Sequence, residues 1–331
     1  MQINNQVTLK STPSGEATPE HFTLIENPIS AIEEGSVLCE TQYLSLDPYM
    51  RSQIAGRHIS GTIKPGDVLR GETISKVVES KSEAFKAGDI VRCFGGWQNY
   101  SVHKAEELSL ISPEINPASY ALSALGMPGL TAYAGLVLQA KPKKGDVVVI
   151  PAATGAVGSV VGQLAKIYGC KVIGIAGSDD KCAYAINELG YDECINRKTE
   201  NLADKLAELC PDGVDIYFDL IGGEMLTTVS EKLAVGARVI LCGLMAEYNN
   251  KDRSFGPPPG FWIRARAIVY GLVVYDFEPQ RAQFIEECLP YIKDGRLKVK
   301  EDVYEGLASA PQAFCNLMDG SNMGKVIIKV K

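Results

Sequence analysis

Residues 147–181 read VVVIPAATGAVGSVVGQLAKIYGCKVIGIAGSDDK, and no other stretch restricts the fold of this chain so tightly. The apolar run Val147-Val148-Val149-Ile150 has the length and composition of a buried parallel strand. A turn of small residues follows, Pro151 to Gly158, and then a helical pattern with apolar residues at Val157, Val160, Val161, Leu164 and Ile167. Gly169 ends that pattern, and a second β-branched strand begins at Lys171. Strand, turn, helix and strand make a βαβ unit whose first turn can hold a pyrophosphate on a helix N-terminus. The glycine pattern is Ala153-x-Gly155-x-x-Gly158, with alanine at the first glycine position. Gly155 lets the backbone approach a phosphate, and Gly158 lets the helix pack on the strand. The alternative is an ordinary βαβ turn without a ligand.

The tip of the second strand bears on which dinucleotide is bound. An NAD site places Asp or Glu there to accept from the ribose 2′-hydroxyl. This chain has Ala176-Gly177-Ser178, with Lys181 one turn into the next helix. A missing acid, a hydroxyl and a cation suit the 2′-phosphate of NADP. Asp179 and Asp180 argue the other way, unless they are first-turn acids of a helix capped by Ser178.

The chain has 331 residues, enough for two domains, and a net charge of −7 without a basic block. Nucleic acid and anionic membrane are therefore poor partners. No apolar run approaches the 18 or so residues of a membrane span, and the start lacks a signal-peptide core, so the expected compartment is the cytoplasm. The nine cysteines are scattered, never spaced C-x-x-C, and read as reduced thiols. His21, His58 and His103 fall in no ligand cluster with cysteine, so no zinc is expected.

Residues 1–125 read as short strands (Val37–Thr41, Ile74–Val78, Ile90–Phe94) separated by turns, the pattern of a compact β-barrel. From about 126 to 294 strand and helix alternate. Helices are expected at 179–189, 201–209 and 279–293, and strands at 193–196, 214–218, 237–241 and 267–274. The fold class is α/β, a doubly wound parallel sheet whose ligands bind beyond the carboxyl ends of its strands. Cys242 to Asn250 leaves such a strand end. The Phe255–Gly260 loop is a candidate lid, and Phe261 and Trp262 a candidate apolar wall. The tail strand Gly324–Val330 returns to the first domain, which 295–331 completes.

The order of barrel, Ala153-x-Gly155-x-x-Gly158 turn and final Gly324-Lys325-Val326-Ile327-Ile328-Lys329-Val330 strand resembles the medium-chain dehydrogenase/reductase superfamily, over nearly the whole chain. Leu46-Asp47-Pro48-Tyr49-Met50-Arg51, Gly177-Ser178-Asp179-Asp180-Lys181, Phe218-Asp219-x-x-Gly222-Gly223 and Cys242-Gly243…Tyr248-Asn249 narrow the likeness. They resemble its zinc-free branch of NADPH-dependent alkenal/one oxidoreductases. Where a zinc alcohol dehydrogenase carries its Cys ligand, this chain has Asp47-Pro48-Tyr49, and its Gly-His-Glu motif is replaced by Arg70-Gly71-Glu72.

The resemblance implies a GroES-like barrel domain beside a Rossmann domain. It places Ala156, Val157, Gly158 and Ser159 on the pyrophosphate, and Lys181 with Ser178 on the 2′-phosphate of NADP. Cys242, Gly243 and Tyr248, with Leu272, Val273 and Val274, line the nicotinamide side, and Asn322 closes the site from the tail. The family puts Tyr248 at the reacting end of the substrate and Tyr49 in the pocket wall. Two departures stand out. Arg197 occupies a common tyrosine position, where it either supports the adenosine phosphate or is a solvated surface residue. Leu220 occupies a common asparagine position, so that cofactor hydrogen bond is lost.

Reduction of an activated C=C bond places negative charge on the carbonyl oxygen, and without a metal a donor must meet it. Tyr248 is the candidate; its alternative is a packed phenol bonded to backbone. Arg51 and Tyr275 are further substrate-side candidates, Arg51 equally suited to a structural ion pair. The expected activity is NADPH-dependent reduction of enals and enones. A quinone oxidoreductase and a non-catalytic NADPH-binding protein are the alternatives. The late β-branched strand suggests an edge that pairs in a homodimer, as in the family.

Overall fold

The structure is a computed structural model that describes residues 3–29, 31–250 and 254–331. The chain divides into two compact units, Met1–Ser123 with Glu301–Lys331, and Ala124–Lys300.

The first unit opens with an antiparallel pair, β1 (Ile3–Leu9) and β2 (Phe22–Pro28). Then follow β3 (Ser36–Ser45), β4 (Thr73–Ser80), β5 (Ile90–Cys93), β6 (Tyr100–Lys104) and β7 (Ser109–Leu110). The expected strands at 37–41, 74–78 and 90–94 fall in β3, β4 and β5. Between β3 and β4 lies a buried helical turn, Met50–Ile54, entered through Pro48 and Tyr49.

The second unit is a six-stranded parallel sheet of β8 (Val147–Pro151), β9 (Lys171–Ala176), β10 (Glu193–Asn196), β11 (Val214–Asp219), β12 (Leu233–Leu241) and β13 (Ile268–Gly271). Its order is β10-β9-β8-β11-β12-β13. The order reverses between β8 and β11, so the crevice at their carboxyl ends is the ligand position of a doubly wound sheet. Helices Gly158–Ile167, Asp179–Asn187, Leu202–Leu209 and Gly223–Ser230 connect the strands. Ser178 and Asn201 cap two of them by accepting from the backbone N–H of Lys181 and Asp204.

Among the boundaries that differ from expectation, three lie at β12, β13 and the helix that follows them. β12 starts at Leu233 rather than 237: Leu233 pairs with Val214, and a register shift containing Gly236, at φ +83°, separates that pair from the Arg238–Leu241 pairing. β13 stops at Gly271 rather than 274, since Val274–Gln280 coils into a 3-10 turn. That turn contains Pro279, so the last long helix of the unit begins at Arg281.

The tail returns to the first unit as β14 (Glu301–Glu305), the helix Ala310–Asp319 and β15 (Lys325–Lys329). The sheet reads β14-β15-β3-β4-β5-β7, with β6 on β3. Trp97 is fully buried at its centre, stacked on Phe22 at 5.7 Å and edge-on to Phe314 at 5.8 Å. Lys325 Nζ, itself buried, donates to Asp47 Oδ1 and to the Leu46 carbonyl, both at 2.6 Å. This internal ion pair fixes the entry to the Met50–Ile54 turn from the tail strand.

Candidate functional site

The turn after β8 is shaped by two carbonyls and two missing side chains. Ala152 adopts φ +48°, a left-handed value that costs a non-glycine residue about 1–2 kcal/mol. It turns its carbonyl inward to accept the Gly155 N–H at 2.8 Å. A Cβ on Gly158 would lie 2.3 Å from that carbonyl oxygen, so only glycine lets the helix start there. The Ser159 N–H closes the turn on the Gly155 carbonyl at 3.0 Å. Ala153, Thr154 and Gly158 are buried, whereas Gly155, Ala156, Val157 and Ser159 form a part-exposed rim. The Val160 and Val161 N–H groups bond the Val157 carbonyl at 3.1 and 3.0 Å, so the part-exposed backbone of Ala156 and Val157, just before the helix, is the segment that suits a phosphate.

The far corner of this βαβ unit collects cations. Arg197 Nη2 and Lys198 Cε each lie 3.8 Å from where a Cβ on Gly177 would stand. The Arg197 N–H bonds the Ala176 carbonyl at 3.0 Å, which folds the segment after β10 against the tip of β9. Lys181 enters from the next helix, whose cap Ser178 accepts the Lys181 N–H at 3.4 Å. Asp179, the acid that could have favoured NAD, accepts from Asn196 Nδ2 at 2.7 Å and is engaged there. An open rim of amides at one end, with a serine hydroxyl and cationic side chains at the other, fits a dinucleotide carrying a 2′-phosphate.

The third part is the loop after β12. The N–H groups of Cys242 and Gly243 bond the Asp219 carbonyl, and Ala246 N–H bonds the Ile221 carbonyl at 3.0 Å. A Cβ on Gly243 would fall 2.9 Å from the Leu220 carbonyl oxygen, so the loop lies flat on the turn after β11. That turn is itself held by the fully buried Asp219, which accepts from Ile221 N–H, Gly222 N–H and Tyr217 Oη. Tyr248 sits half-buried at the end of the loop. Burial raises its phenol above the ordinary value, opposed by a backbone hydrogen bond from Leu244. The Cys242 thiol is pushed to about 12 by burial, with Asp219 adding to the effect, so it is no nucleophile at neutral pH. Leu272 N–H bonds the Leu241 carbonyl at 3.0 Å, which puts Leu272 and Val273 beside this loop's origin. Tyr275 is 39% exposed in the 3-10 turn that follows.

Tyr49, Arg51 and Asn322 belong to the first unit. Tyr49 opens the Met50–Ile54 turn and packs on His58, with ring centroids 4.9 Å apart. Arg51 is 2% exposed and donates from Nη2 to the carbonyls of Gly15 at 2.6 Å and Pro13 at 3.3 Å. Asn322 donates to the Gly324 carbonyl at 2.8 Å, holding the bend that leads into β15. In the second unit, the candidate lid Phe255–Gly260 is loop only as far as Pro258, because a helix begins at Pro259; Phe255 is 97% exposed, and 251–253 lie outside the described residues. Trp262 Nε1 bonds Ser230 Oγ at 3.1 Å.

Three contributors escaped the sequence reading: Lys198, His58 and Tyr191. Tyr191 donates from its hydroxyl to the Gly158 carbonyl at 2.8 Å and lies 3.2 Å from that of Ala153. The available signal was Gly162 in mid-helix and Gly174 in mid-strand, where a glycine marks the close approach of something large. Among the described residues, no group of three or more His, Cys, Asp or Glu side chains could hold a metal ion.

Comparison with known proteins places the chain in a family. Residues 5–111 match the family described as N-terminal domain of oxidoreductase, and residues 156–289 the one described as zinc-binding dehydrogenase. The NADPH-dependent curcumin reductase of Escherichia coli K12 is 37% identical, over 99% of this chain and 97% of its own. The NADP(+)-dependent 2-alkenal reductase of Nicotiana tabacum is 38% identical, over 99% and 97%. The crystal structure of CurA from Vibrio vulnificus in complex with NADPH superposes with a TM-score of 0.94 at 37% identity, covering 99% of both chains.

Proposed function

The chain belongs to the medium-chain dehydrogenase/reductase family, in its branch of NADPH-dependent alkenal/one reductases, and from that premise we propose that it reduces the C=C bond of α,β-unsaturated aldehydes and ketones. The observation that carries this reading is Tyr248. It is half-buried on a loop bonded at several points to the neighbouring strand-end turn, where a doubly wound sheet binds its ligand.

Bound NADPH supplies the hydride that adds to the β-carbon. The protein's part is to hold the reactants and answer the charge. Ala156, Val157, Gly158 and Ser159 bind the pyrophosphate, and Ser178, Lys181 and Arg197 the 2′-phosphate. Cys242 and Gly243, with Leu272, Val273 and Val274, present a small, mostly apolar surface to the nicotinamide, and Asn322 is assigned to the cofactor by the family resemblance. As the carbonyl oxygen gains charge, the Tyr248 hydroxyl donates a hydrogen bond to it and passes its proton to the enolate, then regains one from solvent. Tyr49 and Tyr275 shape the substrate side. Arg51 serves it by fixing the Pro13–Gly15 loop. No metal takes part in this scheme.

In the same reading the protein is a cytoplasmic homodimer. β13 is the last strand of its sheet and leaves Ile268 53% exposed, with Ile263 75% exposed on the preceding helix. Such an apolar sheet edge is covered by a second copy. Light scattering on the eluting protein checks the mass.

The deciding experiment uses NADPH deuterated at the transferred position with an enal, an enone and a quinone. A saturated aldehyde or ketone carrying deuterium at the β-carbon is expected. An allylic alcohol, turnover of the quinone alone, or NADPH binding without turnover of any of them would overturn the proposal.

A further inference from the structure

Tyr191 lies outside every dinucleotide fingerprint, yet it touches all the parts that give the first turn its shape. It stands on the link between the Asp179–Asn187 helix and β10 and is 3% exposed. Its hydroxyl bonds the Gly158 carbonyl at 2.8 Å and stands 3.2 Å from the Ala153 carbonyl, so the two ends of the turn share one donor. The ring fills a slot made by two absent side chains. A Cβ on Gly162 would fall 2.1 Å from its Cζ, and one on Gly174 would fall 3.0 Å from its Cδ1. Burial raises the phenol far above its ordinary value, so it remains a donor at any working pH.

We infer that Tyr191 is a positioning residue for the pyrophosphate of NADPH, its hydroxyl setting the orientation of the peptide groups in the Ala152–Ser159 turn. The inference rests on the reading that this turn holds the pyrophosphate. A peptide group is planar, so fixing the Gly158 carbonyl fixes the Ser159 N–H that follows it. Ser159 N–H holds the Gly155 carbonyl, and Gly155 N–H holds the Ala152 carbonyl. One buried hydroxyl thus feeds a chain of bonds that aims the rim amides. Phenylalanine would fill the same slot and leave both carbonyls without that donor.

The test is Tyr191→Phe, with affinities for NADPH and for 2′-AMP measured by fluorescence and calorimetry. The probe 2′-AMP carries the adenosine and the 2′-phosphate but no pyrophosphate. The expected result is a loss of about five- to twentyfold in NADPH affinity, the effect of one buried hydrogen bond, with 2′-AMP affinity within about twofold of the parent. Hydrogen exchange of the Gly155 and Ser159 amides in the free protein should quicken. A folded variant with unchanged NADPH affinity overturns the inference, as does an equal loss for both ligands, which is what general loosening of the unit produces. Tyr191→Met, an apolar filler of the same slot, repeats the test if the phenylalanine variant does not fold. Gly155→Val separates the premise from the inference: it fills the open rim and should abolish NADPH binding while sparing 2′-AMP. Retained NADPH binding there removes the turn itself from the cofactor site.

Discussion

The methyl group of Ala153 lies over the bare Cα of Gly174. A Cβ built on Gly174 would fall 2.8 Å from it. The position where the dinucleotide fingerprint has its first glycine therefore carries a side chain here, and the neighbouring strand gives up one to receive it. The same glycine makes room for Cys194 Sγ and the ring of Tyr191, each 3.0 Å from the added atom.

Gly174→Ala is expected to destabilise the protein by about 1–3 kcal/mol, the usual cost of overpacking a closed core. Adding Ala153→Gly should recover part of that loss, because it removes one of the three clashes. Urea denaturation of Gly174→Ala, Ala153→Gly and the double variant measures these effects. Simple additivity of the two substitutions would show that the residues do not share this space.

In the proposed reading, cofactor choice rests on the corner around Gly177. Lys181→Ala and Arg197→Ala should each weaken NADPH by about tenfold or more, the worth of a charge-assisted hydrogen bond, and leave NADH within about twofold. Dissociation constants for the two nucleotides provide the measurement. An equal effect on both would place these cations away from the 2′-phosphate.

Tyr248→Phe should lower kcat for a good enone by about 10²–10³-fold and leave the NADPH dissociation constant near normal, since in the proposed function the hydroxyl acts on charge that develops during reaction. Rapid single turnovers separate chemistry from product release. Full turnover in this variant would reduce Tyr248 to a packing residue.

His58 gives a pH dependence with a definite sign. Burial disfavours its charged form, so its folded pKa lies below the ordinary value of 6.5. The unfolded chain then binds the proton more readily. The stability this confers is present above pH 6.5 and is lost as pH falls through the folded value. His58→Phe keeps a ring against Tyr49 and removes the titration. Its melting temperature should fall less than the parent's between pH 7 and pH 5; parallel curves would mean that His58 is solvated.

The sequence by itself determined the class of fold and the kind of ligand. Apolar runs, periodicity and small-residue turns are local properties, and they placed the βαβ unit, the strand-end loop holding Tyr248 and the absence of an acid at Ala176-Gly177-Ser178. Strand ends were less legible, because a left-handed glycine at 236 and a 3-10 turn at 274–280 decide them without a hydrophobic signal. Only the tertiary structure decided what braces these parts. Tyr191 reaches the Ala152–Ser159 turn from more than thirty residues away in sequence. Lys325 meets Asp47 inside the barrel-type unit, and Asn196 takes up the acid at Asp179. Each is a partnership across distant segments, fixed by the demand that buried polar groups find partners, and no pattern within one segment records which partner it will be.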